Sequence, residues 1–182
     1  MTKTEIKELM RNAKEKHHCC GVIFGYDANL KSVFPLIVGE RLFLSAEEED
    51  FILDGYSVRR IKDIVSVRIA NHKYQEMYVE EGLIDQLNTP EINILDWKSV
   101  LISLQTIGDN IIIERESDNE DDQYFAIGKI EKVLSKKVLF KAFDAEGIWE
   151  DELWEIPFSE ITSVSFGKRY ITVFSKYLPP ID

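Results

Sequence analysis

Histidine is scarce in this chain of 182 residues, with three in all, and cysteine is scarcer, with only Cys19 and Cys20. There is no Gly-x-Ser-x-Gly elbow, no glycine-rich phosphate loop and no cysteine and histidine at the separation of a nucleophile and its base. The residue sets for nucleophilic and phosphoryl-transfer chemistry are therefore missing. No catalytic residue, no cofactor and no metal site is expected, and the chain reads as a non-enzyme. The two cysteines are neighbours, and neighbours on a strand point to opposite faces, so the simpler reading is a reduced pair in a cytosolic protein. Long apolar runs are missing too. Nothing approaches the ~20 residues that a bilayer-spanning helix needs, and Met1-Thr-Lys-Thr-Glu-Ile-Lys-Glu is too polar and acidic for a targeting peptide, so a cytoplasmic protein without a membrane is expected. A basic footprint is the last absence. The formal net charge is −11, with 12 Lys+Arg against 15 Asp+Glu in residues 1–90 and 10 against 18 in residues 91–182. Anionic polymers and anionic membranes are poor partners for such a chain, whereas a basic protein is attracted to it.

What the sequence does hold is one unit written twice. Ile156-Pro-Phe-Ser-Glu-Ile-Thr-Ser-Val-Ser-Phe166 has a degraded copy at Val58-Arg-Arg-Ile-Lys-Asp-Ile-Val-Ser-Val-Arg-Ile69. In each, a short turn precedes an apolar run of strand-formers. Upstream, Ile6, Leu9, Met10 and Ala13 form an i, i+3, i+4, i+7 stripe behind the capping-box pattern Thr2-x-x-Glu5, and Trp97, Val100, Leu101 and Leu104 repeat the stripe 91 residues later behind a candidate N-cap, Asp96. By Ser66 and Ser163 the offset is 97. Six residues have been added, and the acidic loop Ser117–Asp122 is where most of them belong, because surface insertions cost little stability.

The predicted strands of the first copy are 20–26, 32–38, 41–46, 51–56 and 64–69, with turns at 27–31 and at the acid run 47–50. A helix is expected over 79–87, and Asn88-Thr-Pro-Glu91 is the linker. The second copy offers strands at 110–116, 124–133, 137–143, 148–156 and 161–166, and Arg169–Tyr177 reads as an extra C-terminal strand. The expected architecture is mainly β, in the α+β sense: a helix plus five-stranded small barrel over residues 1–88, and a second over 91–182.

A helix followed by five short bent strands, with a single turn before the last, resembles the Sm-like and SH3-like small barrels. The residues that carry the resemblance are the stripe Trp97/Val100/Leu101/Leu104, the turn Ile156–Ile161 and the run Thr162–Phe166. The stretches Phe143–Trp149 and Arg169–Leu178 also resemble a group of bacterial proteins of uncharacterised activity, which implies a bacterial cytosolic protein and carries no chemistry with it.

Four clusters qualify as candidate sites. His17-His18-Cys19-Cys20 holds ligand types, but zinc ligands come in spaced pairs, so it reads as structural. The acid runs 47–50, 118–122 and 150–152 offer carboxylates to a calcium or magnesium ion, but the loop at Asp118 lacks the glycine and the distal glutamate of a calcium loop, and the runs read as solvated. Glu146, Trp149, Glu150, Asp151, Glu152 and Trp154 combine acids with aromatics in the more acidic half and form the candidate interaction face for a basic protein, with Trp149 expected to be partly exposed. Arg59, Arg60, Lys168 and Arg169 occupy related places beside the repeated turn and form an alternative nucleic-acid strip, since Sm-like barrels often bind RNA. An immunity-type inhibitor of a basic toxin or nuclease also has this acidic profile.

Overall fold

The computed structural model of the chain describes residues 1–181, the side chain of Glu120 excepted. It is mainly β and divides into two compact units, Met1–Pro90 and Glu91–Asp182.

The first unit opens with α1 (Lys3–Glu15). The capping box forms: Thr2 Oγ1 accepts from the Glu5 amide, and Glu5 accepts from the Thr2 amide at 2.8 Å. Five antiparallel strands follow, β1 (Cys20–Phe24), β2 (Asp27–Val38), β3 (Leu42–Glu49), β4 (Ile52–Arg60) and β5 (Ile64–Ile69), in the order β5-β1-β2-β3-β4. Only the single 3₁₀ turn Ile61–Asp63 separates β4 from β5. Ile6, Met10 and Ala13 of α1 fill one side of the sheet against Cys20, Val22, Phe24, Val33, Phe43, Ile64 and Val67. The helices α2 (His72–Glu80) and α3 (Leu83–Gln86) end the unit. Tyr78 of α2 packs edge-to-face on Phe34, whose neighbour Val33 points into the α1 core, so the two helices cover opposite faces of β2.

The second unit repeats this plan. Its helix α4 (Trp97–Ile107) is capped by Asp96, which accepts from the Ser99 amide at 2.8 Å, and ends at Gly108 in the left-handed region. Strands β6 (Ile111–Arg115), β7 (Tyr124–Val133), β8 (Lys137–Ala142), β9 (Trp154–Pro157) and β10 (Ser163–Phe166) take the order β10-β6-β7-β8-β9. Ile111 and Ile113 alternate with Ile112, which faces a separate cluster with Ile127, Phe143 and Ile171 of the last helix, α5 (Arg169–Phe174). β6 begins 91 residues after β1, and β7 begins 97 after β2. The six added residues thus lie between β6 and β7, where the two-residue hairpin Gly25-Tyr26 becomes the acidic loop 116–123.

Five sequence expectations are corrected here. Residues 27–31 are the start of β2, because the hairpin closes one step earlier at Gly25-Tyr26. Glu47, Glu48 and Glu49 stay in β3, and the turn falls on Asp50 and Phe51, both at positive φ. Such a backbone costs a non-glycine residue about 1–3 kcal/mol. Here the Phe51 amide donates to Glu48 at 2.8 Å and its ring stacks on Tyr74, contacts that offset the cost. The helical region after β5 begins at His72, earlier than 79, with Asn71 as N-cap. Of the predicted strand 148–156 only Trp154–Pro157 forms a ladder. Arg169–Tyr177 is no strand: α5 and the 3₁₀ turn Ser175–Tyr177 replace it. β-branched and aromatic residues suggested extension, but coiling puts Ile171 and Phe174 on one side, against Phe143, and that burial outweighs local preference. α5 then starts 97 residues after α2, so the duplication includes this helix.

Candidate interaction surface

β8 delivers the chain into the segment Asp144–Leu153, and the segment is fixed from inside. Asp144 closes its tip: its carboxylate accepts from the amides of Glu146 and Ile148, both at 2.9 Å, and its amide donates to the Ile148 carbonyl. Gly147 takes φ of 79°, and a β-carbon there would sit 3.3 Å from the Phe174 ring, so a larger residue would be strained and would crowd α5. The Glu150 amide then donates to the Ala142 carbonyl at 3.0 Å, tying the far side back to β8.

Both tryptophans turn inward. Trp149 lies edge-to-face on Phe143 with ring centres 5.3 Å apart, and its indole N–H donates to the Pro179 carbonyl at 2.8 Å. Trp154 donates its N–H to Glu150 and packs its edge on Tyr124. A tryptophan whose ring and donor are already used holds the segment in place, and the outward apolar surface belongs to its neighbours. Ile148 is 59% exposed and Leu153 is 39% exposed. Around them Glu146, Asp151 and Glu152 are exposed, while Trp149, Glu150 and Trp154 are half-buried. The candidate residues therefore divide into a supporting set and a presented set. Residue type had singled out the tryptophans. The outward pair could have been found from Ile148 and Leu153 themselves, aliphatic residues in an acid-rich stretch with nothing local to bury them.

The four residues of the alternative strip are placed differently. Arg59 is 3% exposed; its Nε lies 3.7 Å from Glu47 Oε1, its guanidinium sits 5.2 Å from the centre of the Phe24 ring, and Nη1 donates to Tyr26 at 3.4 Å. Arg60 pairs with Asp63. In the second unit Lys168 precedes α5 and its carbonyl accepts from the Thr172 amide, and Arg169 is exposed. Two arginines of the strip are thus engaged inside the first unit.

His17, His18, Cys19 and Cys20 do not converge, and among the described residues no three His, Cys, Asp or Glu side chains gather to hold a metal ion. Both thiols are buried and unbridged, and burial pushes each up to about 12. Burial also raises the Tyr78 hydroxyl above its ordinary range, with the thiol of Cys19 and the carboxylate of Glu48 adding to the effect; Tyr78 donates to Glu48 at 3.0 Å. No helix among the described residues is long and apolar enough to cross a membrane. No protein-family model, curated protein or solved structure matches the chain.

Proposed function

We propose that this chain is a non-catalytic protein-interaction module made of two tandem small barrels of the Sm-like or SH3-like type, and that the segment Asp144–Leu153 docks a basic protein. The barrel reading is supported by the strand order that both units share, with one short turn before the last strand of each. The docking reading rests on one observation, the exposure of Ile148 and Leu153 among Glu146, Asp151 and Glu152 on a backbone pinned by Asp144, Trp149 and Trp154. A pinned segment loses little freedom on binding, its acids draw a basic surface from a distance, and its aliphatic pair supplies desolvated contact. A basic toxin or nuclease, held as an immunity protein would hold it, is the narrower form of this proposal. The test is capture from a lysate of the source cell, using the wild type beside a variant carrying Ile148→Asp, Asp151→Lys and Glu152→Lys. The expected result is one or a few basic proteins that the variant fails to capture. Predominantly acidic partners, capture that the variant retains, or a shift of RNA or DNA at physiological salt that Lys168→Ala and Arg169→Ala abolish would each contradict the proposal.

A further inference from the structure

The first unit has an open sheet edge at β5. Among the described residues β5 pairs with β1 alone, so its other side presents main-chain groups that no strand satisfies. The register says which groups these are. The Ala70 amide donates to the Cys19 carbonyl at 2.9 Å, and antiparallel partners alternate between bonded and non-bonded pairs, so Arg68 and Ser66 bond to β1 while Val67 and Ile69 turn their N–H and C=O groups outward. No proline blocks this edge, and Val65 is exposed on it. The edge β9 differs, for it is shorter and carries Pro157. Beside the end of β5 lies a groove of about 510 Å³ bounded by Ile69, Ala70, Gln75, Glu76, Val79 and Glu80 together with His18 and His72, the latter with its Nδ1 3.3 Å from Glu76 Oε1. Its helical wall is held in place: Gln75 exchanges two hydrogen bonds with the backbone of Cys19, at 3.0 and 3.2 Å, and Asn71 caps the helix. Val79 is exposed on that wall, with Glu76 and Glu80 exposed on either side of it.

We infer that the open edge of β5 and the groove beside it receive an extended apolar and basic segment of a partner protein, added to the sheet as a further strand. The main-chain row at Val67 and Ile69 fits an extended backbone, the groove takes an apolar side chain against Val79, and Glu76 and Glu80 select lysine or arginine next to it. Arg68, also exposed, lies outside the groove. The inference rests on the proposed basic partner, and it assigns that partner a contact on the first unit, separate from Asp144–Leu153.

The test uses the full chain and two fluorescent peptides, one alternating lysine with valine and one alternating glutamate with valine, read by anisotropy and by amide hydrogen exchange. The lysine peptide should bind, the glutamate peptide should not, and the amides of Val67 and Ile69 should exchange more slowly in the complex. Glu76→Lys with Glu80→Lys should weaken binding by about tenfold or more, as should Val79→Asp; all three positions are exposed, so melting curves should stay near wild type. No binding, equal binding of both peptides, or protection that omits Val67 and Ile69 overturns the inference. Protection confined to Ile148–Leu153 overturns it while leaving docking on the second unit intact. Protection at Val67 and Ile69 that persists in the Ile148→Asp variant upholds this site even where the other fails.

Discussion

Replacing Gly128 by alanine should unfold the second unit far more readily than any exposed substitution. Gly128 sits where β7 passes from its pairing with β6 to its pairing with β8, opposite Ile111 on one side and Ala142 on the other. A β-carbon at Gly128 would lie 2.0 Å from the Lys141 carbonyl oxygen and 2.9 Å from Ala142 Cα. Both obstacles are backbone, so no side-chain rotation relieves them, and β8 must move away by more than an ångström. Three costs add. Overpacking costs about 1–3 kcal/mol, the φ of 155° about 1–3 kcal/mol for a non-glycine residue, and the adjacent Phe143 amide to Ile127 carbonyl bond about 1 kcal/mol. A total of about 3–7 kcal/mol, at about 4–8 °C per kcal/mol for a domain of this size, lowers the melting temperature by at least ~12 °C. The internal control is Gly108→Ala. Gly108 also has positive φ but no heavy atom within 4 Å of its added β-carbon, so only the backbone cost of about 1–2 kcal/mol applies. Thermal melts by circular dichroism, with near-ultraviolet bands reporting Trp149 and Trp154, compare the two. A Gly128→Ala melt that matches or exceeds that of Gly108→Ala would refute the reasoning, since it would mean that β7 does not approach β8 as described.

Arg59→Ala should destabilise the first unit by about 1.5–3 kcal/mol, because it removes a buried guanidinium that lies beside the half-buried Glu47 carboxylate and over the Phe24 ring; urea unfolding checks this, and a loss under ~0.5 kcal/mol would return Arg59 to the surface. Leu101→Ala, in the core, should cost about 2–5 kcal/mol, while Asp118→Asn in the exposed loop should stay within about 0.5 kcal/mol, both read from chemical denaturation. The thiols set an alkaline limit. Their folded pKa, about 12, lies above the unfolded value of about 8.5, so their contribution is complete below about 8.5 and is lost as pH rises toward about 12. Urea midpoints should fall through that window, less steeply in a Cys19→Ala, Cys20→Ala variant, and a disulfide-exchange reagent should label the native protein at neutral pH only through unfolding.

The duplication was legible because its signals are local. The Thr2–Glu5 box, the Asp96 cap, the stripes of α1 and α4 and the offsets of 91 and 97 are all written in residue spacing, and no distant contact is needed to realise them. Helix α5 was not legible, since Tyr170, Ile171, Val173 and Phe174 favour extension and the residues that reward coiling, Ile112, Ile127 and Phe143, lie far upstream. The turn at Asp50-Phe51 was hidden for a related reason: an aromatic residue at positive φ makes sense only once Tyr74 lies beside it. At the candidate surface, sequence reasoning expected Trp149 to be partly exposed, and it is half-buried, but the engagement of its indole N–H was not legible. Whether an indole faces solvent depends on whether an acceptor awaits its N–H, and the Pro179 carbonyl lies thirty residues away along the chain. Arg59 shows the same limit, for a basic pair beside a turn reads as a surface strip until Glu47 and Phe24 are brought against it.

The most direct measurement of the proposed role is amide hydrogen exchange on the complex with the captured partner, compared with the free chain. Exchange across Ala145–Leu153 should slow on binding, most at Ile148 and Asp151, and the slowing should fade with rising salt as the attraction between acidic segment and basic partner is screened. A complex that forms with exchange at Ala145–Leu153 unchanged, or whose affinity does not respond to salt, would contradict the account.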